Sequence, residues 1–326
     1  MRELRVRTEL WPMRGTFRIS RGARTETPTI IAEVEEAGAI GRAECVPYPR
    51  YGESIDSVSG EIESLRREIE NGIECQALQD AMPAGAARNA IDCALWDLAC
   101  KQSGKRAWEL AGIAAPVPVV SAMTLSLDTP ENMAEAARAS AHLPLLKLKV
   151  TGEGDLERVK AVRSGAPDSR LIVDANEGWR ADMLDSLLPG LAALGVEMIE
   201  QPLAADDDDA LLGRDLAIPI CADEACHTRA DLDRLEIRYP MINVKLDKSG
   251  GLTEALALVQ EGRARGFKIM VGCMVGSSLA MAPAMLLTPF ADYVDLDGPL
   301  LLARDCQPGL HYDEMMVHPP EAELWG

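Results

Sequence analysis

The sequence predicts a parallel α/β barrel preceded by a smaller α+β unit, on three observations. The chain has 326 residues, more than the about 250 that a single barrel uses. From about residue 117 onward, short β-branched and apolar runs alternate with amphipathic helical stretches. The starts of those runs recur every roughly 22 to 28 residues, the length of one strand, loop, helix and loop in a parallel sheet.

Residues 1–115 read as the α+β unit. LRVRTEL and TIIAEVEE alternate as strands do, and helices are expected around 55–71 and 84–102. In the second helix Ala87, Ile91, Ala94, Leu95 and Leu98 share one face, Pro83 opens the helix and Gly104 follows its end. The boundary falls near AGIAAPVP, whose prolines disfavour further helix. Barrel strands are expected to begin near Val117, Leu145, Leu171, Glu197, Ile218, Met241, Lys268 and Tyr293, and eight such units close a barrel over residues 116–300. Residues 301–326 are expected to pack back on the first unit. An open doubly wound sheet would more often carry a glycine-rich phosphate turn after its first strand, whereas VPVVSAMTLS is followed by DTPEN.

Composition narrows the function classes. The chain is 47% hydrophobic and 26% charged, with no apolar run near the roughly 18 residues that span a bilayer. MRELRVRTEL carries no secretory pattern, so a cytoplasmic location is expected. Eight cysteines without a CxxC pair read as reduced thiols. A net charge of −19 argues against nucleic acid and anionic membrane as partners. The run Asp206–Asp209 is expected to cap and solubilise a following helix.

The chemistry sits at strand ends. Asp174 ends LIVD, Glu200 ends MIE and Asp223 follows PICA. In a parallel barrel those ends share one rim, so the three carboxylates converge, and an all-oxygen set favours one Mg²⁺. Lys149 on strand two and Lys245 on strand six lie on opposite walls, placed for proton removal on one face of a carbon acid and return on the other through a metal-stabilised enediolate. Lys147, two residues before Lys149, points the same way and is expected to support a carboxylate. Asn176 stands behind Asp174. Asp295 and Asp297 share one side of strand eight and suit an ammonium group. His227 reads as a loop or helix-start residue, and Cys273 and Met274, not histidine, end strand seven.

RGARTE, ECVPYPRYGES, LIVDANEGW, EQPL, ICADEACHT, NVKLDKSGGLTEALAL, GCMVGSS and DLDGP together resemble the enolase superfamily, its muconate-lactonizing subgroup, and within that the bacterial dipeptide epimerases. The resemblance implies a modified (β/α)7β TIM barrel under an N-terminal cap, with Asp174, Glu200 and Asp223 on Mg²⁺ and Lys149 and Lys245 as acid/base pair. It also implies an Asp295/Asp297 clamp for a dipeptide ammonium, and a mobile loop, RISRGARTETP, whose Arg24 meets a glutamate side chain. The implied reaction inverts the α-carbon of the C-terminal residue in L-Ala-D/L-Glu dipeptides, in murein peptide recycling. An N-acylamino-acid racemase, o-succinylbenzoate synthase or cycloisomerase is the rival within the subgroup, and DLDGP favours the free dipeptide. A non-catalytic metal- and peptide-binding protein is the rival outside it, disfavoured by the presence of both lysines. A homo-oligomer is left open, as is the effect of the small Gly276–Ser278 stretch on side-chain preference.

Overall fold

The computed structural model describes residues 2–326, and its first layer is an antiparallel sheet. Glu3–Ile19 (β1) and Gly22–Glu36 (β2) form one long hairpin, and Ala39–Cys45 (β3) pairs with β2. Alternation explains the burial: Ile30, Ala32 and Val34 are fully buried, while Glu33 and Glu35 pair outward with Arg7 and Arg5. Four short helices, Ile55–Ser64 (α1), Arg66–Glu70 (α2), Cys75–Ala81 (α3) and, after a longer one, Ala107–Ala111 (α5), surround Ala86–Ser103 (α4). The helix expected over 55–71 is broken at Leu65, whose backbone leaves the helical region. The expected apolar face of α4 is buried, but so are Arg88, Asn89, Asp92 and Asp97, because α4 lies between the sheet and the barrel. A Cβ at Gly41 would overlap the Ala94 carbonyl, so strand and helix meet backbone to backbone.

Val119–Val120 (β4) corrects one expectation. It pairs antiparallel with a C-terminal strand and stays outside the barrel, and Val117 is exposed. Prolines at 116 and 118 remove ladder donors there. The barrel begins at Met123–Leu125 (β5) and continues through Leu145–Lys149 (β6), Arg170–Asp174 (β7), Val196–Glu200 (β8), Ile220–Ala222 (β9), Met241–Val244 (β10), Lys268–Val271 (β11) and Tyr293–Val294 (β12). These eight strands are parallel neighbours in chain order, and the Ala122 N–H donates to the Val294 carbonyl at 2.8 Å, joining the first edge to the last. Tyr312–Asp313 (β13) and Met316–Val317 (β14) complete the small sheet with β4.

Helices Pro130–Ala139 (α6), Asp155–Gly165 (α7) and Ala181–Ala193 (α8) follow the first three barrel strands. The fourth connection holds only a 3-10 turn, Asp209–Leu211. The Asp206–Asp209 run therefore caps no α-helix. Asp208 is instead buried, taking Arg234 at 2.8 Å, Arg238 at 3.0 Å and the Tyr239 hydroxyl at 2.8 Å. Leu232–Leu235 (α9), Leu246–Ser249 (α10), Leu252–Ala264 (α11) and Ser278–Met281 (α12) cover the later strands, and no α-helix follows β12, which gives the (β/α)7β pattern. The C-terminal residues return to α4: the Trp325 indole donates to the Cys93 carbonyl at 3.0 Å, and the Gly326 N–H to Asp97 at 2.8 Å. All eight cysteines are free thiols. Among the described residues no helix is long and apolar enough to cross a membrane.

Candidate active site

Period-two alternation builds the site directly above the barrel's floor. Ala122, Leu145, Ile172, Met198, Cys221, Met241 and Met270 form a buried apolar layer inside the barrel. Two residues further along the same strands stand Thr124, Lys147, Asp174, Glu200, Asp223 and Asn243, so a one-residue shift in any register would take its functional side chain out of the interior. The register is explicit where it matters: Lys149 faces Asp174 across β6 and β7, and Asp174 faces Glu200 across β7 and β8.

Lys147 lies at the centre of this layer, fully buried. Its ammonium is 3.1 Å from Asp174, 2.6 Å from Glu200 and 2.7 Å from Asp295. Burial alone would lower its pKa, but those carboxylates outweigh it and hold the ammonium well above the ordinary lysine value. Lys149 donates to Asp174 at 2.6 Å and to the Asn176 carbonyl oxygen of its side chain at 3.1 Å. Across the barrel, Lys245 donates to Asp223 at 2.7 Å, and there too the facing carboxylates overcome burial and raise the lysine. Burial disfavours ionised Asp174 and Asp223, yet Lys149 and Lys147 on one side and Lys245 and Lys248 on the other keep both below the usual carboxylate range. Glu200 goes the other way, raised by burial and by Asp174 beside it.

Among the described residues no three metal-ligating side chains close tightly around one point, because lysine ammoniums stand between the carboxylates. The donor chemistry nonetheless fits a hard cation. Three carboxylates end adjacent parallel strands, no cysteine or histidine stands at those three strand ends, and Glu200 Oε2 is buried without an aligned hydrogen bond. On β12's side, Asp295 keeps one oxygen on Lys147 while its Oδ1 is buried with no partner. Asp297 accepts from the Thr124 N–H at 2.7 Å, and burial with Asp295 nearby raises its pKa.

The cap closes the mouth. The expected mobile loop is the end of the β1–β2 hairpin, docked on the barrel rim: Ser20 and Arg21 donate to the Asn176 carbonyl at 2.9 and 2.7 Å, and Arg21 reaches Glu224 at 2.7 Å. Between this tip, Tyr48–Tyr51 and the strand ends lies a cavity of about 470 Å³, lined among others by Lys147, Lys149, Lys245, Asp295, Asp297 and Arg24. The Arg24 side chain makes no hydrogen bond or ion pair among the described residues, and burial lowers its pKa. His227 does not line the cavity; it sits in the loop after β9 with its ring edge-on to Tyr51.

Three residues escaped the sequence reading. Glu224 follows Asp223, lines the cavity, and has a buried Oε2 without a partner. Lys248 donates to the Asp223 carboxylate at 2.7 Å and to the Asn243 carbonyl at 2.9 Å. Asn243, two residues before Lys245, donates to Glu200 at 2.7 Å. Period-two counting back from Lys245 would have found Asn243; Glu224 and Lys248 depend on loop geometry that no spacing records.

This architecture matches two family models. Residues 1–112 fit the mandelate racemase / muconate lactonizing enzyme N-terminal domain, and residues 131–323 fit the enolase C-terminal domain-like family. The chain belongs to that family of the enolase superfamily. It is 48% identical to the L-Ala-D/L-Glu epimerase of Escherichia coli K12, covering 98% of this chain and 100% of that one. It is 45% identical to the N-acetyl-D-glutamate racemase of a Pseudoalteromonas species, covering 91% of this chain and 95% of that one. An Agrobacterium tumefaciens enolase family member with homology to dipeptide epimerases, solved with sodium, L-Ala-L-Glu and an ordered loop, is 48% identical with a TM-score of 0.98 over 100% of both chains. The Cytophaga hutchinsonii dipeptide epimerase, solved with Mg and D-Ala-L-Val, is 27% identical with a TM-score of 0.92, covering 98% of this chain and 93% of that one.

Proposed function

We propose that this chain is a Mg²⁺-dependent dipeptide epimerase acting on L-Ala-D/L-Glu and inverting the α-carbon of the C-terminal residue. The observation that carries the reading is the placement of Lys149 and Lys245 on opposite walls of one cavity, on either side of a row of strand-end carboxylates. Asp174, Glu200 and Asp223 would hold Mg²⁺, which when bound supplies fixed positive charge against the substrate carboxylate and the charge that develops as the α-proton leaves.

The protein's own groups do the rest. One lysine takes the α-proton from one face and the other delivers a proton to the opposite face, the roles exchanging with the diastereomer. Lys147 bridges Asp174, Glu200 and Asp295 and fixes their spacing, and Asn176 orients Lys149. Asp295 and Asp297 receive the dipeptide ammonium, for which the unpartnered Asp295 Oδ1 is a ready acceptor. Arg24, a half-buried guanidinium on the cavity wall with no ion-pair partner among the described residues, receives the glutamate side chain. The hairpin tip keeps water from the reacting centre. We place the reaction in the cytoplasm, in the recycling of murein peptides.

A second reading is racemisation of an N-acylated glutamate, favoured by the Pseudoalteromonas relative. The two acids on strand eight, one with an unpartnered buried oxygen, support the free dipeptide over it.

The test is α-proton exchange in heavy water. Wild-type protein with Mg²⁺ should label the C-terminal α-carbon of both L-Ala-L-Glu and L-Ala-D-Glu. Lys149→Ala and Lys245→Ala should each abolish epimerisation while retaining exchange with one diastereomer, and with opposite diastereomers. Unimpaired epimerisation by either variant would refute the two-base scheme.

A further inference from the structure

The two acid/base lysines are held in different ways. Lys149 is held by Asp174 and Asn176; the cap meets that side at its hairpin tip, where Ser20 and Arg21 donate to the Asn176 carbonyl, and among the described residues no hydrogen bond joins residues 145–155 themselves to the cap. Lys245 opens the α10 turn: its carbonyl accepts from the Lys248 and Ser249 N–H groups at 3.0 Å each, so any rotation of that turn swings the lysine.

One face of the cap helix α4 is devoted to this turn. Residues 88, 89, 92 and 96 lie at helical spacing along it. Arg88 donates to the carbonyls of Ser249 at 2.7 Å and Gly250 at 3.0 Å. Asn89 donates to the Asp247 carboxylate at 2.8 Å, and the same Asp247 oxygen accepts the Val46 N–H, at the end of the cap sheet, at 2.9 Å. Asp92 accepts the Thr253 N–H at 2.9 Å, and the Trp96 indole donates to the Thr253 hydroxyl at 2.9 Å.

Asp247, Asn89 and Arg88 are all buried. The approach is close enough to dictate the sequence. Gly250 and Gly251 have φ of +75° and +109°, and a Cβ on them would lie 2.5 Å from the Arg88 Nε and 2.5 Å from the Asp92 Cβ.

We infer that Asp247, clamped by Asn89 and Val46 of the cap, is a positioning residue for Lys245 alone, so that this one contact between cap and barrel supports one of the two proton-transfer faces and not the other. This rests on the two-base reading above. A purely structural contact between domains would weaken both faces together. A contact that sets the α10 turn weakens only the half-reaction that Lys245 performs.

The experiment reads α-proton exchange in heavy water for L-Ala-L-Glu and L-Ala-D-Glu separately, with saturating Mg²⁺ and with kcat and KM resolved. Lys149→Ala and Lys245→Ala first establish which diastereomer each lysine serves. Asp247→Ala should lower kcat for exchange with the Lys245 diastereomer at least tenfold while the Lys149 diastereomer stays within about twofold and KM is little changed. Asn89→Ala, which leaves Asp247 and the Val46 contact in place, should show the same one-sided pattern more weakly, and serves if Asp247→Ala does not fold. Equal loss on both diastereomers, or no loss on either, would overturn the inference. If the two lysine variants themselves show no opposite one-sided exchange, the two-base reading falls and this inference with it.

Discussion

N-propionyl-L-glutamate is L-Ala-L-Glu with its ammonium replaced by hydrogen, so comparing the two isolates one interaction. In the free protein Asp295 gives one oxygen to Lys147 at 2.7 Å and leaves Oδ1 buried and, among the described residues, unpartnered, while Asp297 accepts from the Thr124 N–H on one oxygen. The dipeptide ammonium supplies donors for these acceptors; the propionyl group supplies none. A single charged hydrogen bond is worth about 1.5–3 kcal/mol, and leaving a buried carboxylate without its partner costs about 3–5 kcal/mol. Lys147 still neutralises Asp295, so the lower end applies. About 3 kcal/mol corresponds to roughly 150-fold in kcat/KM. The assay is α-deuterium incorporation by mass spectrometry, with initial rates for both compounds on one enzyme preparation. Asp297→Asn keeps the acceptor for Thr124 but removes the charge, so it should cut kcat/KM for the dipeptide by about ten- to a hundredfold and leave N-propionylglutamate nearly unchanged. Equal turnover of the two compounds, or a parallel loss on both in Asp297→Asn, would refute the ammonium clamp. Faster turnover of N-acetylglutamate than of the dipeptide would favour the acylamino-acid racemase.

Three further outcomes are expected. Chelation should stop exchange, Mg²⁺ should restore it and raise the melting temperature, and Asp174→Asn, Glu200→Gln and Asp223→Asn should each lose that Mg²⁺-dependent rise; full-rate exchange in excess chelator would contradict the metal assignment. Arg24→Ala should reduce kcat/KM for Ala-Glu by roughly ten- to a hundredfold but barely affect a dipeptide with an uncharged C-terminal residue, whereas equal losses would assign Arg24 to the shape of the cap. Burial pushes Glu44, which accepts from Ser277 between cap and barrel, up to about 7. Its folded value lies above its unfolded one, so the folded state holds the extra proton and this group's contribution to stability falls as pH rises from about 4 to about 7. Glu44→Gln removes that penalty, so its unfolding free energy from denaturant titration, relative to wild type, should improve between pH 5 and 8 by up to about 3 kcal/mol; a difference that stays flat across that range would count against it.

Asp174, Glu200, Asp223, Lys147, Lys149 and Lys245 could be read from the sequence because strand alternation and a shared rim are local rules that recur at every barrel strand. Where two rules compete, the reading slipped. PVPVV has the β-branched composition of a first barrel strand, but its prolines and the C-terminal hairpin that pairs with it placed Val119–Val120 elsewhere. The Asp206–Asp209 run resembled a helix cap until the connection proved to hold no α-helix, and the contacts of buried Asp208 with Arg234, Arg238 and Tyr239 join residues 26 to 31 positions apart. Glu224, Lys248 and the polar face of α4 were invisible for the same reason. A charged residue on an otherwise apolar helix reads as solvated until something specifies what packs over it.

The partners of α4 on the strand-six connection lie 158 to 162 positions further along the chain. A ribosome adding about 5–20 residues per second needs roughly 10 to 30 s to cover that distance. Throughout that interval the Arg88 guanidinium has no Ser249 or Gly250 carbonyl to meet, Asn89 has no Asp247 and Asp92 no Thr253. Until then this face stays in water, which solvates these groups, and only docking onto the finished barrel removes that water. The closing step of assembly is therefore the docking of α4 onto the strand-six connection, which exchanges water for the buried hydrogen bonds of Arg88, Asn89 and Asp92.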